Sequence, residues 1–331
     1  MADHTPIEWT DATWNIVTGC SLVSPGCTNC YAMKLAGTRL RDHPSRQGLT
    51  DDSKAGPVWN GQVRFNAQWL DQPLRWTKPR KIFVCAHGDL FHDGVSDDWL
   101  DQIFAVMALC PQHAFQILTK RPERMRDYLT QACGRIADRI IAMRRARGDR
   151  DMVLAPLAHV APGSPWWPLP NVWLGVSVED QARADERIPV LLDTPAAVRW
   201  ISAEPLLGPV TIRDAMWAGE GDPAANLDAS IDWVVAGGES GPGARPMHPD
   251  WARALRDLCA GAEVPFLFKQ WGDYLPQDQT DASGLEWVAG HSDPRNYDWE
   301  PQGFASIRIG KKVAGRRLDG VLHDAYPEVR A

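Results

Sequence analysis

Residues 171–193, NVWLGVSVEDQARADERIPVLLD, join a short strand-like segment directly to a helical one. Residues 171–178 are apolar on both faces and rich in β-branched and aromatic side chains, as in a parallel strand covered by helices. Residues 179–193 show the three-to-four-residue spacing of apolar side chains that is typical of an amphipathic helix. The stretch therefore predicts one strand-helix unit of an α/β fold, with a right-handed crossover to the next strand.

The same alternation recurs along much of the 331-residue chain. Five further runs are strand-like: KIFVCAH (81–87), AFQILTK (114–120), VRWISAEPL (198–206), IDWVVAGG (231–238) and VPFLFKQW (264–271). Between them we predict a helix that begins at a Ser96 cap and one long basic helix over 121–148. Six such strands, with a shorter one before the first cysteine, predict a partial or full (β/α) barrel of parallel strands.

We expect residues 1–272 to form this barrel domain. Residues 149–170 are proline-rich and nonperiodic, which indicates an inserted loop, and residues 273–331 are predicted to form a C-terminal extension. No segment approaches eighteen uninterrupted apolar residues, and the N-terminus lacks the basic and apolar regions of a secretory signal. We therefore expect a cytoplasmic protein without a membrane partner.

The net charge of −7 argues against a protein that coats nucleic acid without specificity. Residues 120–150 nevertheless carry ten Lys or Arg against four Asp or Glu, which favours either a local phosphate-binding face or a solvated helix. Trp166 and Trp167 in the insertion are expected to be exposed and able to stack on a base. The strand tryptophans, such as Trp173, Trp200 and Trp233, are expected to pack against helices.

Polar side chains follow the predicted strands at their carboxyl ends, where barrel enzymes build their active sites. The residues at these ends are Gly88 and the polar Asp89, Lys120, Arg121, Ser177, Glu179, Glu204, Glu239 and Lys269; Arg245 follows Glu239 in the chain. The cations Lys120, Arg121, Arg245 and Lys269 are predicted to bind the substrate, in particular an anion such as phosphate. The alternative is that they pair with Glu179, Glu204 and Glu239 in a polar barrel mouth.

Cys20, Cys27 and Cys30 lie within eleven residues. In a reducing compartment such a cluster indicates catalysis or metal binding, and three thiolates suit a [4Fe-4S] cluster that has one iron without a protein ligand. A zinc site would need a fourth ligand, for which the candidates are His4, His43, His87 and His92. A thioredoxin-like CxxC pair would leave Cys20 without a role.

The three-cysteine loop followed by CYA, ahead of the first complete strand and helix, resembles the radical S-adenosylmethionine (SAM) superfamily. More closely, IEWTDATWN, GCSLVSPGCTNCYA, ILTKRPERM, SAEPLLGPV and GGESGPGARPM are similar to a phage-associated radical SAM-like family of unknown function. These motifs run over residues 7–272, and YAMKL after Cys30 also resembles spore photoproduct lyase, a DNA repair enzyme of the superfamily. The usual superfamily signature has three residues between its first two cysteines, whereas this chain has six.

The resemblance implies a barrel of the radical SAM type, with an N-terminal loop in which the three cysteines bind a [4Fe-4S] cluster and the open iron binds SAM. An electron from a reductant such as flavodoxin or ferredoxin would cleave SAM to a 5'-deoxyadenosyl radical, which would abstract a hydrogen from the substrate. By position, Gly88 and Asp89 are predicted to contact the methionyl amino group. For Asp89 the alternative is an N-cap of the next turn.

Ser177 and Glu179 are predicted to contact the ribose hydroxyls or the carboxylate of SAM, and Glu204 and Glu239 are further predicted cofactor-binding residues. The aromatic and basic segments favour a nucleic acid or nucleotide as substrate. The alternative function is a non-catalytic nucleic-acid-binding protein stabilised by an iron-sulfur cluster or by zinc.

Overall fold

The computed structural model describes residues 5–148, 167–216, 230–279, 296–300 and 303–328. The strands are β1 (Ala12–Trp14), β2 (Val17–Thr18), β3 (Thr50–Ser53), β4 (Gly56–Trp59), β5 (Arg64–Phe65), β6 (Lys81–Val84), β7 (Ala114–Thr119), β8 (Val172–Ser177), β9 (Val198–Ala203), β10 (Trp233–Gly237), β11 (Phe266–Gln270), β12 (Tyr274–Pro276), β13 (Tyr297–Trp299) and β14 (Phe304–Arg308). The α-helices are α1 (Tyr31–Gly37), α2 (Asp97–Ala108), α3 (Pro122–Gln131), α4 (Cys133–Ala146), α5 (Gln181–Leu192), α6 (Arg213–Met216), α7 (Pro249–Gly261) and α8 (Lys311–Ala314).

Seven strands form one curled parallel sheet, a half-barrel, in the order β1-β6-β7-β8-β9-β10-β11. The spatial order follows the chain order, and from β6 onward each step between neighbouring strands passes through one or two helices. The α/β prediction and the partial barrel are confirmed, and the short strand expected before the cysteines is β1. Because all these strands run the same way, their carboxyl ends, where the candidate residues lie, share one edge of the sheet.

The concave face of the sheet is filled by aromatic rings in its amino-terminal half. Trp173, Trp200 and Trp233 form a buried cluster with Trp9 and Phe83, in which the Trp9 and Trp200 rings meet edge to face at 5.2 Å. The expectation that these strand tryptophans pack against helices is therefore wrong. A curled sheet encloses a concave volume that small β-branched side chains do not fill, so the largest side chains occupy it.

Gly175, in the middle of β8, makes room for one of these rings. A Cβ at this position would overlap the Trp200 indole. Side chains at every second strand residue share a face, so Trp173, Gly175 and Ser177 all point into the half-barrel. The interior thus changes from a packed aromatic floor to polar side chains at the carboxyl edge.

The basic segment after β7 differs from its prediction. It forms two helices, α3 and α4, instead of one, and the break at Ala132 lets α3 pack on α5 while α4 packs on α2. One straight helix could not pack against both α5 and α2. The local spacing of apolar residues does not show where the helix breaks.

Arg135 and Arg139 of this segment pair in space with acidic residues of α2. Arg135 contacts Asp97 and Asp101 at 3.2 and 3.1 Å, and Arg139 pairs with Asp98. Their charge is therefore compensated locally, although the segment itself has a basic surplus.

Residues 149–166 of the predicted insertion, including Trp166, lie outside the described residues. Trp167 is half-buried and packs against the core, so the expectation that it is exposed is wrong.

After residue 272 the chain forms the antiparallel sheet β12-β14-β13 and then returns along β11, where the Phe268 N–H donates to the His323 carbonyl at 3.0 Å. Within the described ranges, none of the helices is both long enough and apolar enough to cross a membrane.

Replacing Gly175 with alanine is expected to destabilise the protein by about 1–3 kcal/mol, because the added methyl group forces the Trp200 ring to repack. Gly134→Ala is the matched control, since a Cβ there meets nothing within 4 Å and alanine favours a helix over glycine by about 0.5–1 kcal/mol. Urea unfolding of both variants measures the difference. An unchanged free energy of unfolding for Gly175→Ala would contradict the close fit of ring and strand.

Candidate functional site

A cavity of about 270 Å³ opens at the carboxyl edge of the half-barrel. It is lined by eleven of the thirteen predicted site residues: Cys20, Cys27, Cys30, Gly88, Asp89, Lys120, Arg121, Ser177, Glu204, Glu239 and Lys269. The other two, Glu179 and Arg245, are ion-pair partners of lining residues. Residues spread over 250 positions of sequence thus meet at one place because the parallel strands end there.

The three cysteines reach this cavity from a single loop between β2 and α1. Cys27 ends a short 3-10 turn that begins at Pro25, and Cys30 immediately precedes α1. All three are free thiols. The loop approaches the sheet at Gly88, where a Cβ would lie 3.0 Å from the Gly19 carbonyl oxygen, so the glycine permits close contact of the two backbones.

The start of the cysteine loop is held by Arg121 and Asp89. The Arg121 guanidinium pairs with Asp89 at 2.8 Å, donates to the Ser21 hydroxyl at 2.6 Å and lies 3.7 Å from the Cys20 sulfur. Asp89 also accepts a hydrogen bond from the Phe91 N–H at 3.0 Å, as expected from the alternative prediction that it caps the next turn. The Asp89 carboxylate thus serves the loop, and a SAM ammonium group would have to share it.

The middle of the loop is held by Glu179, whose side chain has no exposure to solvent. Its carboxylate pairs with Lys120 and, at 3.1 Å, with Arg187 of α5, and it accepts from the Ser24 hydroxyl at 2.6 Å. A Cβ on Gly26 would overlap this carboxylate. Glu179 therefore lies behind the loop and fixes its turn.

The end of the loop is held by Glu239. Asn29 donates to one Glu239 oxygen at 3.0 Å, and Arg245 pairs with the other at 2.6 Å. Asn29 also donates to the Gly243 carbonyl oxygen at 2.7 Å. The segment after β10 and the cysteine loop are thereby joined directly.

Each cation that was predicted to bind substrate has a carboxylate partner. Lys120 pairs with Glu179, Arg121 with Asp89, Arg245 with Glu239, and Lys269 with Glu204 at 2.9 Å. The arrangement is largely the polar barrel mouth given above as the alternative. Any of these cations would have to exchange or share its carboxylate to bind a substrate anion.

The thiols differ in their electrostatic surroundings. Burial, and secondarily the Asp89 carboxylate, raise the pKa of Cys20 to about 12, although Arg121 opposes the shift. Burial also acts to raise the pKa of Cys27, but the Lys120 ammonium and the hydrogen bonds from Val23 and Ser24 outweigh it and leave this pKa lowered. Metal binding at Cys20 must therefore displace a firmly held proton, whereas the proton on Cys27 is held less tightly than on an ordinary thiol.

Three of the four candidate zinc ligands hydrogen-bond to other protein groups. His92 hydrogen-bonds to Ser21 at 3.0 Å, His43 to Ser45 at 2.7 Å, and His87 to Arg46 at 2.8 Å, while His4 lies outside the described residues. Across the described ranges, no three His, Cys, Asp or Glu side chains are grouped to hold a single metal ion.

Several contributors were missed in the sequence. Asn29 lies between Cys27 and Cys30, and this position beside two candidate metal ligands is a sequence signal that could have identified it. Arg187 resembles an ordinary charged residue on the exposed face of α5, yet it is only 1% exposed because it turns inward to Glu179. Only the packing of α5 against the sheet reveals this contact.

His87 adjoins the site and is held in its neutral form. Its Nδ1 accepts a hydrogen bond from Arg46, which leaves the ring proton on Nε2. Burial, together with the Arg46 charge, lowers the pKa of His87 to about 4.

Comparison with protein-family models matches residues 4–327 to a family described as "Protein of unknown function (DUF5131)". The chain belongs to this family. No curated protein and no solved structure matches it. The activity must therefore be argued from the site itself.

Replacing Glu179 with glutamine is expected to cost about 3–5 kcal/mol, because Lys120 and Arg187 keep their charges in a buried place without a carboxylate. Asp52→Asn is the matched control, since the Arg41–Asp52 pair is exposed and such pairs contribute about 0–1 kcal/mol. Urea unfolding measures both. A loss for Glu179→Gln no larger than that for Asp52→Asn would disprove the buried anchor.

The neutral His87 predicts a loss of stability in acid. Its folded pKa is below the unfolded value of about 6.5, so the unfolded chain takes up the proton first as the pH falls. The contribution of the neutral ring to the free energy of unfolding is complete above pH 6.5 and is lost progressively toward pH 4. The loss amounts to about 2 kcal/mol at pH 5. Wild type should lose that much more stability between pH 7 and pH 5 than His87→Gln, and parallel losses in the two proteins would refute the assignment.

Proposed function

We propose that this member of the DUF5131 family is a radical SAM-type enzyme that holds a [4Fe-4S] cluster on Cys20, Cys27 and Cys30. The observation that supports this most strongly is the convergence of three free thiols, from one clamped loop, on a cavity at the carboxyl edge of a parallel half-barrel. Parallel barrels build their reactive sites at this edge.

The donor set fits the proposed cluster. Three thiolates bind three irons of a cubane, and the fourth iron stays open to a small molecule. Arg121 beside Cys20 and Lys120 beside Cys27 would offset part of the negative charge of such a group, although each also pairs with a carboxylate. Cys30 packs against the buried cluster that contains Trp59.

The protein's part is to position these ligands before the cofactor arrives. The three carboxylates Asp89, Glu179 and Glu239 fix the loop at its start, middle and end, so little ordering is left to accompany metal binding. The aromatic floor formed by Trp9, Trp200 and Phe83 closes the half-barrel below the cavity and keeps water from entering there.

The remaining polar groups of the cavity are assigned to SAM. Ser177 and the Ser202–Glu204 pair (3.2 Å) face the cavity from the ends of β8 and β9, where they would contact its ribose and carboxylate, while Lys269 stays a candidate for binding the substrate. A bound, reduced cluster of this kind would supply the electron for cleavage of SAM to methionine and a 5'-deoxyadenosyl radical. The electron would come from a reductant such as flavodoxin or ferredoxin, and the substrate class proposed from the sequence is a nucleic acid or nucleotide.

The proposal predicts SAM cleavage by the anaerobically reconstituted, dithionite-reduced protein, measured as 5'-deoxyadenosine by liquid chromatography and mass spectrometry. Cys27→Ala should abolish the product and the broad absorbance at about 400 nm that thiolate-ligated iron-sulfur centres show. Cys133→Ala, in α4 and outside the cavity, is the matched control and should keep both. Repeating the assay with oligonucleotides and mononucleotides tests the substrate class.

Two results would count against this function. A fully loaded cluster that binds no SAM and yields no 5'-deoxyadenosine would leave a structural iron-sulfur protein. A colourless protein with stoichiometric zinc would favour the zinc-stabilised binding protein.

A further inference from the structure

A second and larger cavity, of about 580 Å³, lies beside the first. Tyr31, Ala86 and Lys269 line both cavities, so the two are neighbours across these side chains. The second cavity has aromatic and apolar side chains in its walls, among them Trp69 and Leu40, together with many polar and charged ones. Its size and lining are those of a pocket for a small organic molecule, for which about 300–1,000 Å³ is usual.

Arg46 borders this second cavity and is buried, with 5% of its surface exposed. Within the described residues it has no carboxylate partner. Its guanidinium donates to the Ser45 hydroxyl and to His87 Nδ1, both uncharged acceptors, and its Nε has no hydrogen-bond partner there. A buried charge without a counter-ion is costly, and proteins normally pair it.

The other cations of the second cavity are paired. Lys269 contacts Glu204 at 2.9 Å, and Lys311 contacts Glu8 at 3.2 Å. Because His87 is neutral, Arg46 supplies an uncompensated positive charge to this cavity.

The segment that carries Arg46 is held rigidly by its surroundings. Arg64 donates to the carbonyl oxygens of Pro44 and Gln47, on either side of Arg46, at 2.6 and 2.8 Å. The Thr18 hydroxyl donates to the Ser45 carbonyl oxygen at 2.6 Å. The guanidinium is therefore fixed in place before any ligand binds, which lowers the entropy that binding must overcome.

We propose that the second cavity binds a small organic anion whose carboxylate or phosphate oxygens pair with Arg46. The His87 Nε2–H offers a further donor on the same side, and the Tyr31 and Trp69 rings contact the apolar part of the ligand. The site is separate from the proposed metal ligands, so it does not depend on the cluster. If the first cavity performs SAM chemistry, the anion held here lies next to it.

Isothermal titration of the full chain tests the proposal with two matched pairs of probes, AMP against adenosine and benzoate against benzyl alcohol. Each pair differs in the anionic group, so AMP binding at least tenfold tighter than adenosine identifies phosphate, and the same ratio for benzoate identifies carboxylate. Inorganic phosphate and acetate, compared with chloride at equal ionic strength, provide the minimal test by thermal shift. A wild type in which no probe binds more tightly than its neutral partner, and no oxyanion raises Tm above chloride, overturns the proposal.

Arg46→Met should reduce the affinity for the preferred anion at least tenfold, whereas Arg41→Met, an exposed arginine outside the cavity, should leave it unchanged. In chloride alone Arg46→Met should have a Tm equal to or above that of wild type, because an unpaired buried charge has been removed. A lower Tm with a retained anion response would show a structural arginine instead. Cys27→Ala should still bind the anion, which separates failure of this site from failure of the proposed SAM chemistry.

Discussion

The Glu179 carboxylate, buried between Lys120 and Arg187, is the contact on which the site depends. It connects the end of β7, the helix after β8 and the turn of the cysteine loop. Buried ion pairs of this kind add little net stability compared with an apolar core, but removing one partner is costly. Their value here is geometric, because a charge that must be paired leaves the loop only one way to lie on the sheet.

Two further carboxylates repeat the same arrangement at the ends of the loop. Asp89 acts through Arg121 near Cys20, and Glu239 acts through Asn29 near Cys30. The ends of three alternate strands, β6, β8 and β10, therefore position the three thiols through charge and hydrogen bonding. The aromatic floor below gives this polar layer a rigid support. The same strands thus carry aromatic side chains toward their amino ends and position charged side chains at their carboxyl ends.

Much of this could be predicted from the sequence, and what could not has physical reasons. Strand and helix periodicity identified the parallel sheet, and the rule that strand ends meet at one edge brought Gly88, Glu204 and Lys269 to one cavity. Periodicity does not say which face of a doubly apolar strand is concave, so the position of Trp200 was misjudged. Periodicity also does not predict which carboxylate a given Lys or Arg side chain will pair with. The predicted substrate cations are paired, while Arg46, in a loop with no recognisable motif, is buried without a carboxylate partner among the described residues.

The six residues between Cys20 and Cys27 have a structural explanation that bears on function. The extra length carries Ser24 and Gly26 down to Glu179, and so it fixes the loop while all three thiols still face the cavity.

The most direct test of the central claim is the electron paramagnetic resonance spectrum of the reduced, reconstituted protein with and without SAM. If one iron is open and SAM binds it, the g values must shift on addition of SAM. Identical spectra, from a fully loaded cluster at saturating SAM, would contradict the account.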